Sequence, residues 1–255
     1  MRFASLGSGS KGNATLVSAG DTLLMVDCGF SVRETERRMA ALGVAPAAVD
    51  AILVTHEHSD HSAGVARFSR RYKTPVYTSH GTFASGRIED CHELELFNSD
   101  QSFNLGDVHV QTVAVPHDAR EPCQYRFTYD GLSLGVLTDL GSITAHVLRH
   151  YRGCDALLLE FNHDLEMLLN GPYPQSLKQR VSSDWGHLNN QQAAALLQDI
   201  GCDQLRYLVV AHISENNNCK TLAAEALSAV YGELDERVIW AEQGDGFAWL
   251  DLKRA

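Results

Sequence analysis

Metal-ligand side chains follow directly on one apolar strand, and this feature constrains the chain more than any other. Residues 52–61 read ILVTHEHSDH, so aliphatic and β-branched residues run straight into His56, His58, Asp60 and His61. Because side chains alternate along an extended segment, we expect His56 and His58 to lie on the same side. The turn that follows can bring Asp60 and His61 to a neighbouring point. A ligand set this dense can begin two metal sites, and further ligands must come from elsewhere in the chain.

Three more ligand-type residues stand at the ends of other apolar strands. They are His117 in VAVPHD, Asp139 in LGVLTDLG and His212 in LVVAHIS. One histidine after a strand is unremarkable, but four such strand ends in one chain indicate a shared site, because sites collect where strands end at a sheet edge. Histidine nitrogens and carboxylate oxygens suit Zn²⁺, Mn²⁺ and Fe²⁺ almost equally, so the pattern predicts divalent metal ions without choosing among them.

Composition and charge limit the class of protein. The 255 residues are 44% hydrophobic and 21% charged, which is typical of a globular chain with a substantial core. No apolar run is long enough for a signal peptide or a membrane span, so we expect a cytoplasmic protein without membrane partners. The six cysteines form no CxxC pair, which argues against thiolate zinc and disulfides. A formal net charge of −11 confines any nucleic-acid contact to a local positive site.

Strands and helices interleave along the chain in two halves. FASLG, ATLVSAG and DTLLMVDCG predict three short strands, SVRETERRMAALG predicts a helix, and VDAILVT predicts the strand before the histidines. A basic helix is predicted near 62–72, strands dominate 91–140, and helices dominate 164–200. The pattern indicates an α/β fold with two mixed β-sheets packed together and helices outside, as a single domain over 1–255.

The string HxHxDH at 56–61, with the three downstream ligands in order, resembles the metallo-β-lactamase superfamily. The resemblance spans the chain and implies an αββα sandwich with a metal site at the sheet edges. It also implies two divalent metal ions and a metal-bridged hydroxide as the nucleophile. The implied ligands are His56, His58 and His117 for one metal, Asp60, His61 and His212 for the second, and Asp139 as the bridge.

Longer motifs narrow the resemblance. GSGSKGNATLV, THEHSDHSAGV, EFNHDLEML, GPYPQSLKQRVSSDWGHLNN and AHISENNN together resemble the YycJ/WalJ (VicX) subfamily, which implies a 5′→3′ exonuclease on single-stranded DNA. Exported β-lactamases of the superfamily usually have arginine where this chain has His61. Glyoxalase II has a helical C-terminal domain where this chain ends in strands. The β-CASP nucleases insert a large domain, for which the interval between Asp139 and His212 has no room.

The resemblance also suggests catalytic and substrate-binding residues. His187 would stabilise the transition state or protonate the leaving oxygen, and Glu160 would orient the His187 ring. His163 is a rival for the same role. Asp60 would act both as a ligand and as the group that orients the water. The glycine-rich loop and the segment before the helix at 219–231 would bind phosphate through Ser8, Ser10, Lys11, Asn13 and Asn216. A plain β-turn for the loop, and a structural pair for Glu160 and His163, are the alternatives.

Three functions remain open at this point. The first is a dinuclear phosphodiesterase acting on nucleic-acid ends, and the second is a hydrolase of a small phosphodiester, such as a cyclic nucleotide, or of a thioester. The third is a metal-binding regulatory protein that does not turn over. The acidic surface fits a small substrate somewhat better than a long polyanion. The complete ligand set argues against the third, because structural sites are usually closed by their ligands.

Overall fold

The computed structural model describes residues 1–254, in which short strands and helices alternate along the chain. The strands are β1 (Arg2–Gly7), β2 (Ala14–Ala19), β3 (Thr22–Val26), β4 (Ala51–Leu53), β5 (Val76–Ser79), β6 (Leu94–Phe97), β7 (Ser102–Leu105), β8 (Val108–Ala114), β9 (Cys123–Tyr129), β10 (Leu132–Leu137), β11 (Ala156–Glu160), β12 (Tyr207–Ala211), β13 (Val238–Trp240) and β14 (Phe247–Asp251). The helices are α1 (Val32–Ala41), α2 (Ser59–Ser62), α3 (Val65–Tyr72), α4 (His80–Phe83), α5 (Ala145–Tyr151), α6 (Leu165–Asn170), α7 (Gln175–Val181), α8 (Asn190–Ile200) and α9 (Lys220–Tyr231).

The chain divides into two compact units. The first contains residues 1–114 and 119–132 and the chain from Ala241 onward, and the second contains residues 115–118 and 133–240. The prediction of a single domain over 1–255 stays a prediction. No helix in residues 1–254 is both long enough and apolar enough to span a membrane.

The first unit is built on a mixed sheet with the strand order β14-β1-β2-β3-β4-β5-β6. The pairs from β14 to β3 are antiparallel and those from β3 to β6 are parallel. Met39 of α1 and Phe68 of α3 are fully buried in one cluster with Leu16 and Ile52 of the sheet. Burying each such side chain contributes about 1.5–3 kcal/mol, which holds the two helices on the sheet. The same unit contains the antiparallel strands β7, β8 and β9.

The second unit is built on parallel strands in the order β13-β12-β11-β10. The sequences LSLGVL, ALLLE and YLVVA are almost wholly buried, which is typical of parallel strands covered on both faces. Helix α8 starts at a capping box, in which Asn189 accepts from the backbone N–H of Gln192 and the Gln192 side chain accepts from that of Asn189. This start agrees with the helix expected near Asn189 or Asn190.

The predicted fold class, an α/β fold with two mixed β-sheets flanked by helices, is confirmed. The basic helix predicted near 62–72 is α3, which begins at Val65, and Gly64 before it lies close to another backbone segment. The Gly64 N–H donates to the Cys28 carbonyl at 2.7 Å, and a Cβ there would lie 2.1 Å from the Phe30 carbonyl oxygen. Only glycine permits this approach, so glycine is required between α2 and α3.

Candidate metal centre

In the first unit, a buried hydrogen-bond network prepares two histidines after β4 to bind a cation. The Thr55 N–H and hydroxyl each donate to the Asp27 carboxyl at 2.8 Å, and His61 Nδ1 lies 2.8 Å from Asp27 Oδ2. The Thr55 hydroxyl has a single hydrogen, which it donates to Asp27. The hydroxyl oxygen therefore accepts from Nδ1 of His56 at 3.0 Å. Both rings therefore carry their proton on Nδ1 and leave Nε2 as the ligand atom, as a metal site requires.

Asp27 lies at the end of the predicted strand DTLLMVDCG, and its role in this network was not predicted from the sequence. Its carboxyl is almost fully buried, and burial raises its pKa above the usual value although His61 and Thr55 lower it. The available signal was an acidic residue directly after the apolar run TLLMV. Its partners lie 28 and 34 residues further on, which no local pattern reveals.

His58 completes a donor pair with His56. The Nε2 atom of the fully buried His56 lies 3.0 Å from Nδ1 of His58. The ring geometry turns these nitrogens toward each other, and two lone pairs at this separation repel unless a proton or a cation lies between them. The pair therefore fits a divalent ion.

Asp60 and His61 form a second donor pair on α2. Asp60 Oδ2 lies 3.4 Å from Nε2 of His61, and the Asn13 amide nitrogen lies 3.3 Å and 3.0 Å from the same two atoms. A carboxylate oxygen and an imidazole nitrogen at one point are a donor set for Zn²⁺ or Mn²⁺. Asn13, which we predict to bind substrate, is buried and also bonds both backbone groups of Gly9. In this structure it ties the glycine-rich loop to the donor pair.

The other predicted residues of the glycine-rich loop differ in exposure. Ser8 is buried, whereas Ser10 and Lys11 are exposed. Gln243 braces the loop, because its side chain accepts from the Lys11 N–H at 2.7 Å and donates to the Gly12 carbonyl at 2.9 Å. The loop is thus more than a plain β-turn, and phosphate binding by Ser8, Ser10 and Lys11 stays a prediction.

In the second unit, four donors gather at the carboxyl ends of β10, β11 and β12. Each offers one ligand atom, and these atoms lie within 4.8 Å of one another; they belong to Asp139, Glu160, His187 and His212. His212 Nδ1 is 3.2 Å from Asp139 Oδ2. Two buried carboxylates and two imidazoles this close form a site whose negative charge a cation would neutralise. The donor set fits a divalent ion.

Glu160 and His187 form a fixed pair within this cluster. The Glu160 carboxylate accepts from the backbone N–H groups of Leu140 at 2.9 Å and Leu188 at 3.1 Å. Its other oxygen lies 3.1 Å from Nδ1 of His187, whose side chain is 21% exposed. A buried carboxylate thus orients a histidine that solvent can reach, which is the arrangement we predict for a catalytic acid.

His117 is prepared as a neutral ligand. Its Nδ1 donates to the Gly186 carbonyl at 2.9 Å, which leaves Nε2 with the lone pair. Burial lowers the pKa of His117 to about 4, the nearby Asp139 raises it, and His187 lowers it further. The ring is therefore uncharged at neutral pH, as a metal ligand must be.

Three residues of these clusters have left-handed backbone. Asp27, Asp139 and His212 follow their strands with φ of 60°, 53° and 52°. Residues other than glycine seldom adopt this conformation, and such backbone gathers at functional sites because it re-aims a side chain at a cost.

The remaining predicted residues lie apart from the donors or are fully enclosed. Asn216 is exposed, and its amide donates to the Tyr173 hydroxyl at 3.2 Å. Its role in substrate binding stays a prediction. His163 is buried, its Nε2 has no hydrogen-bond partner within residues 1–254, and burial lowers its pKa to about 4. A ring that is uncharged and enclosed is a poor acid, which favours His187 for that role.

Comparison with known proteins identifies the family. The profile of the β-lactamase superfamily domain matches residues 22–213. The chain belongs to this superfamily. Among superfamily relatives, it is 37% identical to exodeoxyribonuclease YycJ of Bacillus anthracis over 243 residues, covering 91% of this chain and 90% of that protein. It is 34% identical to exodeoxyribonuclease WalJ of Streptococcus pneumoniae over 230 residues, covering 87% and 85%.

A solved structure shows the superfamily fold. The metallo-β-lactamase fold protein YhfI of Bacillus subtilis superposes with a TM-score of 0.75 at 17% identity, covering 98% of this chain and 99% of that chain. The predicted resemblance to the superfamily and to YycJ and WalJ is confirmed. The protein is a metal-dependent hydrolase of this superfamily, as the sequence predicts.

Proposed function

We propose that the protein is a dinuclear metal-dependent exonuclease that removes nucleotides from the 5′ end of single-stranded DNA. The observation that carries the proposal is the fixed Glu160–His187 pair within a cluster of metal donors. Two relatives named exodeoxyribonucleases, which the chain matches over 85–90% of their length, support nucleic acid as the substrate. A location in the cytoplasm is part of the same proposal.

The assignment of metal ligands follows the ligand pattern of the superfamily. The tautomers of His56, His61 and His117, each with its proton on Nδ1, support this assignment. We infer that two divalent ions, Zn²⁺ or Mn²⁺ and alternatively Fe²⁺, are held by the predicted set. When bound, such ions lower the pKa of a water molecule and clamp the oxygens of a phosphate. One ion is assigned to His56, His58 and His117, the other to Asp60, His61 and His212, and Asp139 is shared.

The residues of the chain supply proton transfer and orientation. Asp60 accepts a hydrogen bond from the attacking water and aligns it. Glu160 accepts from Nδ1 of His187, so Nε2 is the nitrogen left to face the substrate. The buried carboxylate stabilises the charged imidazolium, which donates its Nε2 proton to the oxygen that leaves the phosphorus. Ser8, Ser10, Lys11 and Asn216 remain proposed contacts to phosphate.

Replacing His187 by alanine will lower kcat by about 10²–10⁴-fold, the usual contribution of a positioned acid. The measurement is kcat with saturating metal and saturating DNA. His163→Ala is the control, since His163 is buried and is not expected to touch substrate. Unchanged kcat in His187→Ala would remove the acid from the mechanism.

A local positive surface on the first unit meets the requirement set by the net charge of −11. Helices α1 and α3 carry six of the chain's 21 lysines and arginines. A groove of about 540 Å³ is lined by Val32 and by Arg67, Arg70 and Arg71 of α3. Arg71 is paired with Glu36 at 3.1 Å and Arg70 with Asp90 at 3.6 Å, whereas Arg67 projects from the exposed face of the helix. This surface attracts a phosphodiester backbone against the repulsion of the remaining charge.

Replacing Arg67 and Arg70 together by alanine will weaken binding of single-stranded DNA and make it less sensitive to salt. Each lost phosphate contact lowers the slope of log K against log salt by about 0.7. The measurement is fluorescence anisotropy of labelled DNA between low and physiological salt. Arg254→Ala, which removes an exposed arginine paired with Asp130, is the matched control. A slope equal to that of the control would exclude this surface from binding.

A two-ended labelling assay tests the proposed function. Single-stranded DNA carries a label at the 5′ or the 3′ end, with a 5′-phosphate or a 5′-hydroxyl, and is incubated with Mn²⁺-loaded protein. We expect mononucleotides from the 5′ end. Intact DNA together with turnover of bis-p-nitrophenyl phosphate would instead show a small-molecule phosphodiesterase. Turnover of neither substrate, nor of a thioester, would support a regulatory metal-binding protein.

A further inference from the structure

Trp185 presents its indole to solvent from the loop between α7 and α8. Its exposed fraction of 60% is the largest among the exposed large hydrophobic residues of the described chain. The indoles of the two other tryptophans both have partners. Trp249 donates from Nε1 to the Leu42 carbonyl at 3.2 Å, and Trp240 lies 5.6 Å from the Lys220 ammonium. Within residues 1–254 the Trp185 indole has neither a hydrogen bond nor a ring contact.

The backbone on both sides of Trp185 is held in place. The Ser183 hydroxyl accepts from the Trp185 N–H at 3.3 Å, and the Ser183 carbonyl accepts from the Gly186 N–H at 2.9 Å. The His187 N–H donates to the Val181 carbonyl at 2.9 Å. A Cβ at Gly186 would lie 2.2 Å from that same carbonyl oxygen, so the approach requires glycine. The exposed ring therefore stands on a preorganised loop.

The same loop shapes the donor cluster of the second unit. The Gly186 carbonyl fixes the tautomer of His117 at 2.9 Å, and Nδ1 of His187 lies 3.1 Å from Glu160. Consecutive Cα atoms are about 3.8 Å apart, so the Cα of Trp185 is within about 8 Å of that of the proposed acid. The indole is thus carried by the same short loop as the proposed acid.

The residues next to Trp185 along the chain are polar or glycine. They are Ser182, Ser183, Asp184 and Gly186, so no large apolar side chain adjoins the indole in sequence. Basic residues lie on the preceding helix α7, where Lys178 donates to the Leu169 carbonyl at 2.7 Å and Arg180 pairs with Asp118. A single aromatic face beside basic side chains is the usual arrangement for single-stranded nucleic acid.

We propose that Trp185 stacks on a nucleobase of the substrate next to the scissile phosphodiester. The proposal rests on the proposed function, because it takes single-stranded DNA as the substrate. Every base has a π-face, so the contact binds without selecting sequence, as an exonuclease that degrades a strand stepwise needs. Removing one such stack weakens binding by about 5- to 150-fold.

The test compares Trp185→Ala and Trp185→Phe on normal and abasic single strands. With normal DNA we expect KM to rise by about 5- to 150-fold in Trp185→Ala with little change in kcat, and Trp185→Phe to stay close to the wild type. With an abasic site at the stacked position, the wild type and Trp185→Ala should have equal KM. An equal KM for Trp185→Ala and the wild type on normal DNA, or a rise that persists on every abasic substrate, would overturn the proposal.

A second readout separates this proposal from the exonuclease function. Indole emission of Zn²⁺-loaded His187→Ala protein, in which hydrolysis is slow, should be quenched by single-stranded DNA, and the quenching should be lost when Trp185→Phe is added but kept with the control Trp240→Phe. Quenching without any DNA hydrolysis by metal-loaded protein would support stacking and overturn the exonuclease. Hydrolysis from the 5′ end without quenching would support the exonuclease and overturn stacking.

Discussion

Replacing Asp139 by alanine will lower kcat/KM on DNA by about 10³-fold or more. The carboxylate is 2% exposed, lies 3.2 Å from His212, and is the residue that the ligand pattern assigns to both ions. A bound metal supplies several kcal/mol of stabilisation to the transition state, and each 1.4 kcal/mol or so corresponds to tenfold in rate. Losing the shared ligand therefore removes most of the catalysis. Steady-state kinetics with matched metal supply and elemental analysis of the purified protein measure the two effects.

Asp130→Ala is the matched control for this substitution. Asp130 also has left-handed backbone, with φ of 49°, but its side chain is 63% exposed and pairs with Arg254. Both substitutions place alanine in a strained conformation, so a loss of activity caused by backbone strain alone would be shared. Equal kcat/KM for Asp139→Ala and Asp130→Ala would contradict the role of Asp139 as a ligand.

Replacing Asp27 by alanine will destabilise the metal-free protein by about 3 kcal/mol or more, because three buried donors lose their acceptor at about 1–3 kcal/mol each. The donors are the Thr55 N–H, the Thr55 hydroxyl and His61 Nδ1. The tautomers of His56 and His61 are then no longer fixed, so we expect metal affinity to fall by about 10- to 100-fold. Urea denaturation of the metal-free protein and metal titration monitored by competition with a chelator measure the two quantities.

Asp50→Ala provides the comparison for Asp27. Asp50 also accepts from a backbone N–H, that of Leu23 at 2.7 Å, but the residue is exposed. We expect Asp50→Ala to lower the free energy of unfolding much less than Asp27→Ala does, since water can replace an exposed hydrogen-bond partner. Equal destabilisation of the two variants would show that the buried network around Thr55 does not hold this part of the fold.

The sequence predicts those parts of the fold that depend on local pattern. The strands β10, β11 and β12 are buried on both faces, so they read as uninterrupted apolar runs, and the ligands at their ends are conspicuous. The strand β7 and the single-turn helix α4 were missed. The residues SFNL of β7 are only partly buried and contain no β-branched side chain, and α4 depends on the Ser79 side chain accepting from the N–H of Thr82.

The site was predicted at the level of residue types rather than of contacts. The HxHxDH spacing identifies donors, but the pairing of Asp27 with His61 joins residues 34 apart, and only the folded chain brings them together. Asn13 looks like a phosphate contact in the glycine-rich loop, yet its amide turns inward toward Asp60. Trp185 is visible in the sequence, but only the folded chain shows that its indole is exposed.

The most direct test of the dinuclear centre is a titration of metal-free protein with Mn²⁺ or Zn²⁺, in which exonuclease activity is followed against metal equivalents. We expect no activity without metal and a plateau at two equivalents per chain, and we expect Asp139→Ala not to reach this plateau. Full activity at one equivalent, or in the metal-free protein, would contradict the shared role of Asp139 and the two-metal centre.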